Sequence, residues 1–231
     1  RWGIRVGSGD REGDRGSTRG DDLCRQHAWR GHDAFVREKA CELAKLGYVA
    51  FALDMYGKGV RAKDNKEAAT LSGIYKKDRA LMRARARAGL DVLRKTIGVD
   101  AKLIPAIGNC FGGTTDLEMA RDGAPVAGVV SFHGGLATPV PAKANAVQSK
   151  ILVVHGGDDP LVPPEQVLAL WKELKGAGAD HQILILSGAV HAFTDPGAGN
   201  DPSRGAAYDA KASARAWAAM RTFFRETIDA S

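Results

Sequence analysis

Cys110 stands in the segment Ile104-Pro-Ala-Ile-Gly-Asn-Cys-Phe-Gly-Gly113, where an apolar run meets Gly108-x-Cys110-x-Gly112-Gly113 and a helical stretch follows. A nucleophile displayed on a sharp strand-to-helix turn needs small neighbours on either side, because the strand end and the first helical turn crowd together there. The following helix would aim its N-terminal N–H groups and positive dipole end at the turn, which favours a thiolate and an oxyanion. A thiol so placed predicts acyl transfer through a covalent thioester, with the N–H of Phe111 facing the oxyanion. The plainer reading is a buried structural cysteine beside a Gly-rich turn.

Two later segments favour the chemical reading. The run Ile151-Leu-Val-Val-His155 leads into Gly156-Gly-Asp-Asp-Pro-Leu-Val-Pro163, and the run ending near Leu186 leads into Ser187-Gly-Ala-Val-His-Ala-Phe193. Nucleophile, acid and histidine then each follow a strand of their own, so a parallel sheet would bring all three to one rim. The assignment is Cys110 as nucleophile, His191 as base and Asp159 as the carboxylate that orients it, with Asp158 as the alternative acid. His133 and His155 also end apolar runs and are read as supporting or structural. Cys24 has no such context, and Cys41 is read as a small packing residue on a helix.

The elements that must position these groups alternate between amphipathic helices and short apolar runs from Phe35 onward, the pattern of a mostly parallel sheet flanked by helices, an α/β fold. Helices are predicted over 34–46, 76–97, 165–174 and 206–224, and strands over 48–54, 102–107, 126–132, 151–155 and 182–186. In the long helix Met82, Ala86, Leu90, Leu93 and Ile97 recur at helical spacing, and Arg83, Arg85 and Arg87 read as a solvated face. Val167, Leu170, Trp171 and Leu174 share one predicted apolar face. The strand at Tyr48–Asp54 is a continuous apolar run and reads as buried on both sides. Residues 1–33, crowded with Arg, Gly and Asp, carry neither helical nor alternating apolar spacing and are expected to be irregular or disordered. Residues 34–231 are expected to form one domain.

At these residues the sequence resembles the dienelactone hydrolase family of the α/β-hydrolase superfamily. The resemblance runs through Phe35–Ala50, Asp54-Met-Tyr-Gly57, the Gly108–Gly113 turn, Gly156–Pro163 and His191-Ala-Phe193. It implies a hydrolase of esters, lactones or thioesters with Cys110, Asp159 and His191 as its triad, a small-molecule substrate, no organic cofactor and no metal. Two departures stand out. Family members carry, after their first strand, a loop with a glutamate that controls thiol ionisation and an N–H for the oxyanion; here the matching stretch is Gln26-His-Ala-Trp-Arg-Gly31, without the glutamate or an apolar strand before it. The usual N-terminal strands are therefore expected to be missing. The start has the composition of a GC-rich gene read out of frame, rejoining the family pattern near His32 or Asp33; resequencing the locus tests this. Beyond His191, Ala192 to Asp195 replace the serine and arginine that hold the carboxylate of the named substrate.

The net charge of +6 arises from 33 basic and 27 acidic residues that are interleaved, so the chain has no compact basic tract for nucleic acid. Three widely spaced cysteines argue against a disulfide scaffold, and the chain shows neither the apolar core of a signal peptide nor a bilayer-length run, which points to the cytoplasm. The competing reading is a degraded, non-catalytic hydrolase scaffold that serves binding.

Overall fold

A computed structural model describes residues 3–8 and 34–229. Strand β1 (Gly3–Ser8) is followed by helix α1 (Ala34–Lys45), β2 (Tyr48–Ala52), α2 (Asn65–Lys77), α3 (Arg79–Arg94), β3 (Pro105–Asn109), α4 (Phe111–Arg121) and β4 (Gly128–Phe132). The chain continues with β5 (Lys150–Gly156), α5 (Pro164–Gly176), β6 (His181–Leu186) and α6 (Ala210–Phe224), which ends in a wider helical turn over Arg225–Asp229. One sheet holds the six strands in the order β2-β1-β3-β4-β5-β6. Neighbours from β3 to β6 are parallel, while β1 runs antiparallel to both β2 and β3. The four parallel strands end at the same rim, so the loops after β3, β4, β5 and β6 meet there.

Alternation of strand and helix buries both faces of the middle of the sheet. Every residue of β3 and β4 is buried, as their apolar runs require. Helix α4 packs on β3 and β4, α3 packs on α4, and α6 packs on β4 and β5. Lys39 of α1 lies 5.2 Å over the ring of Trp217 of α6. No helix of the described residues is long and apolar enough to cross a membrane.

Several expectations need correction. Part of the segment expected to be irregular, Gly3–Ser8, forms β1 between β2 and β3; the rest of residues 1–33 lies outside the described residues. The run at 48–54 is a shorter strand, half-buried rather than buried, because among the described residues β2 is an edge. The helix predicted over 76–97 is α3, which runs only from Arg79 to Arg94, and α2 before it forms where no helix is predicted. Asp78 closes α2 and caps α3, its carboxylate accepting the Leu81 N–H at 2.9 Å. Because α3 stops at Arg94, Ile97 escapes its apolar face and is 99% exposed. Trp171 also lies largely outside, while Val167, Leu170 and Leu174 are buried. Cys41 is disulfide-bonded rather than a bare packing residue.

Two of the arginines read as solvated bridge helices instead. Arg83 reaches the buried Glu118 of α4 at 2.7 Å, and Arg87 reaches Asp122 at 2.6 Å. Glu118 also accepts from Arg121, whose side chain is as buried as its own and bonds Glu173 of α5 at 2.8 Å. Removing the Glu118 carboxylate would leave guanidinium charge stranded beneath α3 at a cost of about 3–5 kcal/mol. This network fixes α3, α4 and α5, and hence the helix that follows Cys110.

Candidate active site

Strand β3 delivers the chain to Cys110 and α4 begins at the next residue. Between them Cys110 takes φ 51° and ψ −115°, a conformation costly for a side chain with a Cβ and sustained only by its surroundings. Its N–H donates to the carbonyl of Phe132 at 3.1 Å, and its carbonyl accepts from the Thr114 N–H at 3.1 Å. Gly108 makes the turn feasible: a Cβ there would lie 2.2 Å from the carbonyl carbon of Gly112 and 2.6 Å from an Asp116 carboxylate oxygen. Phe111, as the first residue of α4, has an N–H without an intrahelical acceptor. Its ring stacks on Tyr56 at 5.7 Å and tilts against Tyr75 at 5.9 Å.

The loops after β5 and β6 bring Asp159 and His191 together. Gly156 ends β5 with the 189–190 backbone pressed on it, a built Cβ falling 2.6 Å from the Ala189 carbonyl, so the two loops pass in contact. Asp159 is buried; one carboxylate oxygen accepts the Leu161 N–H at 2.8 Å and the other bonds Nδ1 of His191 at 2.8 Å. Asp158 points elsewhere, its carboxylate 3.3 Å from the Gly188 N–H. The His191 backbone is held by the carbonyl of Gly205 and by the N–H of Ala207. With Nδ1–H given to Asp159, the ring presents Nε2 towards the thiol. Removal from water pulls the His191 imidazolium down, but its bonds to Asp159 and Cys110 outweigh this and push its pKa up to about 10.

A third side chain that the sequence placed only in support lies at the sulfur. His133 directly follows β4, is fully buried, and has φ 39°. Its Nδ1 is 3.4 Å from Cys110 Sγ, and its Nε2 is 2.7 Å from Thr194 Oγ1, whose hydroxyl donates to Asn109 Oδ1 at 2.9 Å. The edge of Phe193 closes over its ring at 4.9 Å. Sγ of Cys110 and one ring nitrogen each of His133 and His191 all lie within 4.8 Å of one another. Burial raises the Cys110 thiol; the charge of His133, its hydrogen bond and then His191 more than reverse this and hold the thiol well below its ordinary range.

In front of this cluster lies a cavity of about 270 Å³, walled by Tyr56, Ser72, Lys76, Phe111 and Leu161. Burial, then the neighbouring Tyr75, pushes the Tyr56 phenol up to about 12, so it stays a neutral donor. His155 lies to one side and is depressed chiefly by burial. The stretch Gln26–Gly31, expected to differ from the family, lies outside the described residues.

The model of the dienelactone hydrolase family matches residues 26–228. The chain belongs to this family. It is similar to a dienelactone hydrolase-like promiscuous phosphotriesterase from metagenomic libraries, with 43% identity and a TM-score of 0.79 over 86% of this chain and 82% of that one. A solved structure titled m3DLH shares 40% identity at a TM-score of 0.80, covering 86% of this chain and 83% of its own. An uncharacterized protein of Caenorhabditis elegans is 33% identical over 152 residues, which is 64% of this chain and 94% of the relative. Family membership makes the chain an α/β hydrolase with a small-molecule substrate. The residue roles are a separate matter of geometry.

Proposed function

We propose that the chain hydrolyses a carboxylic ester, lactone or thioester with Cys110 as nucleophile, His191 as acid and base, and Asp159 as the carboxylate that orients it. The observation that carries this reading is the 2.8 Å bond from His191 Nδ1 to Asp159, which turns the other ring nitrogen to a thiol on a strained strand-to-helix turn. The thiolate attacks the carbonyl carbon, and the tetrahedral oxyanion faces the Phe111 N–H, a donor whose loss would cost about 3 kcal/mol. His191, charged at neutral pH, gives its proton to the leaving alkoxide or thiolate as the thioester forms. Neutral His191 then takes a proton from water, whose oxygen attacks the thioester, and Cys110 leaves as the thiolate.

The cavity volume suits a small acyl group, with Phe111 and Tyr56, backed by Tyr75, on one side and Lys76 on the same cavity's lining. The test is hydrolysis of an activated aryl ester by the wild type, by Cys110→Ala and by protein treated with iodoacetamide. Activity lost in both treated forms supports the assignment; hydrolysis surviving in Cys110→Ala removes it. The metagenomic relative's name makes an aryl phosphotriester a second substrate for the same three samples.

A further inference from the structure

We propose that His133 is a second imidazole partner of Cys110: it accepts the thiol proton at Nδ1 and, as the imidazolium, pairs with the thiolate, leaving proton transfer to substrate and water to His191 alone. The proposal rests on Cys110 being the nucleophile and adds a catalytic residue to that site. The geometry points to it through hydrogen-bond direction. A hydroxyl has one proton, and that of Thr194 is given to Asn109 Oδ1 at 2.9 Å. Thr194 Oγ1 must therefore receive its bond from Nε2–H of His133 at 2.7 Å. In the neutral ring the basic lone pair is then at Nδ1, where the Cys110 N–H points at 3.3 Å and Sγ lies at 3.4 Å. Asn109, Thr194 and His133 are all buried, so water does not compete for the relay.

The proton balance closes. The S–H bond breaks, an Nδ1–H bond forms, and the electron pair stays on sulfur; the imidazolium keeps both its N–H groups bonded, one to Thr194 and one to the thiolate, while the Cys110 N–H gives up Nδ1 and keeps the Phe132 carbonyl at 3.1 Å. His191 carries a proton of its own, held by Asp159, so it protonates the leaving group without drawing on the thiol. The titratable groups around His133 are Cys110 from the turn after β3, His191 from the loop after β6 at 5.5 Å between ring centroids, and His155 from β5, which burial keeps neutral, with Asp159 behind His191. Two imidazolium charges then balance one thiolate and one carboxylate. Among the influences that favour the Cys110 thiolate, the charge of His133 is the foremost.

The test is the pH dependence of iodoacetamide alkylation at Cys110, read by mass spectrometry in the wild type, His133→Asn, His191→Asn and Thr194→Val. Asparagine tolerates the positive φ at 133 and has no basic nitrogen. In His133→Asn the profile is expected to move towards that of an ordinary thiol, with alkylation about tenfold slower near pH 6, since each pH unit by which the profile moves changes the thiolate fraction about tenfold. Thr194→Val, which keeps the imidazole but removes its Nε2 acceptor, is expected to move the profile in the same direction by less. His191→Asn is expected to retain alkylation in acid. A wild-type profile in His133→Asn overturns the proposal; if that variant does not give a cooperative melt, a wild-type profile in Thr194→Val overturns it. Ester hydrolysis lost in Cys110→Ala beside an unmoved His133→Asn profile would keep the nucleophile and reject this partner. Hydrolysis surviving in Cys110→Ala would instead reject the nucleophile itself.

Discussion

The two flanks of the Cys110 sulfur are built from different chemistry. On one side His191 is backed by a buried carboxylate, on a loop held by Gly205 and Ala207. On the other His133 is backed by a neutral hydroxyl and an amide, at a strand end under Phe193. A carboxylate behind an imidazole raises its affinity for a proton and suits a group that must pick up and release one in each turnover. A hydroxyl and amide fix direction without adding charge, which suits a group that holds a thiolate in place. The same side-chain type thus serves two tasks, and what lies behind each ring separates them.

Breaking what both flanks share has the largest expected effect. Cys110→Ala should lower kcat for an aryl ester by about four orders of magnitude or more, with the melting profile retained. Asp159→Asn attacks only the carboxylate flank and should cost about 10²–10⁴ in kcat. It should also sharpen the comparison through pH. Asp159 and Cys110 together raise the His191 pKa to about 10 against its burial, so the variant, which removes the Asp159 share, should lose its protonated His191, and with it leaving-group protonation, at lower pH than the wild type. The alkaline limb of the kcat profile therefore moves down, while the thiol-alkylation profile moves little. His133→Asn should do the reverse, shifting alkylation strongly and lowering kcat by about tenfold, with the alkaline limb in place. Asp158→Asn, whose carboxylate lies against Gly188 rather than His191, should change kcat by less than about twofold.

What could be read in the sequence follows the same division. Parallel strands buried on both sides print themselves as apolar runs, and the turns after them print as glycines and short polar residues, so Cys110, His191 and the pair Asp158-Asp159 stand out from local sequence. The choice between Asp158 and Asp159 was not local, because it depends on which carboxylate the loop after β5 turns inward. His133 was visible only as a strand-end histidine; its meaning lies in contacts with Thr194 and Asn109, which are 61 and 85 residues apart from their partners in sequence. Helix α2 is hidden because Asn65–Lys77 is largely polar, with Leu71, Ile74 and Tyr75 as its large apolar residues, and its boundary with α3 rests on the single carboxylate of Asp78. Strand β1 is hidden because its alternation, Ile4 and Val6 on either side of Arg5, is too short to stand out in a stretch crowded with Arg, Gly and Asp, and its place is set by pairing with β2 and β3.

Trapping the covalent intermediate tests the role of Cys110 most directly. A slowly hydrolysed aryl ester mixed with the protein and quenched in acid should leave an acyl mass on the peptide containing Cys110, appearing with the burst of released phenol and decaying with turnover. Steady hydrolysis with an unmodified Cys110 at every time point would contradict covalent catalysis by this thiol.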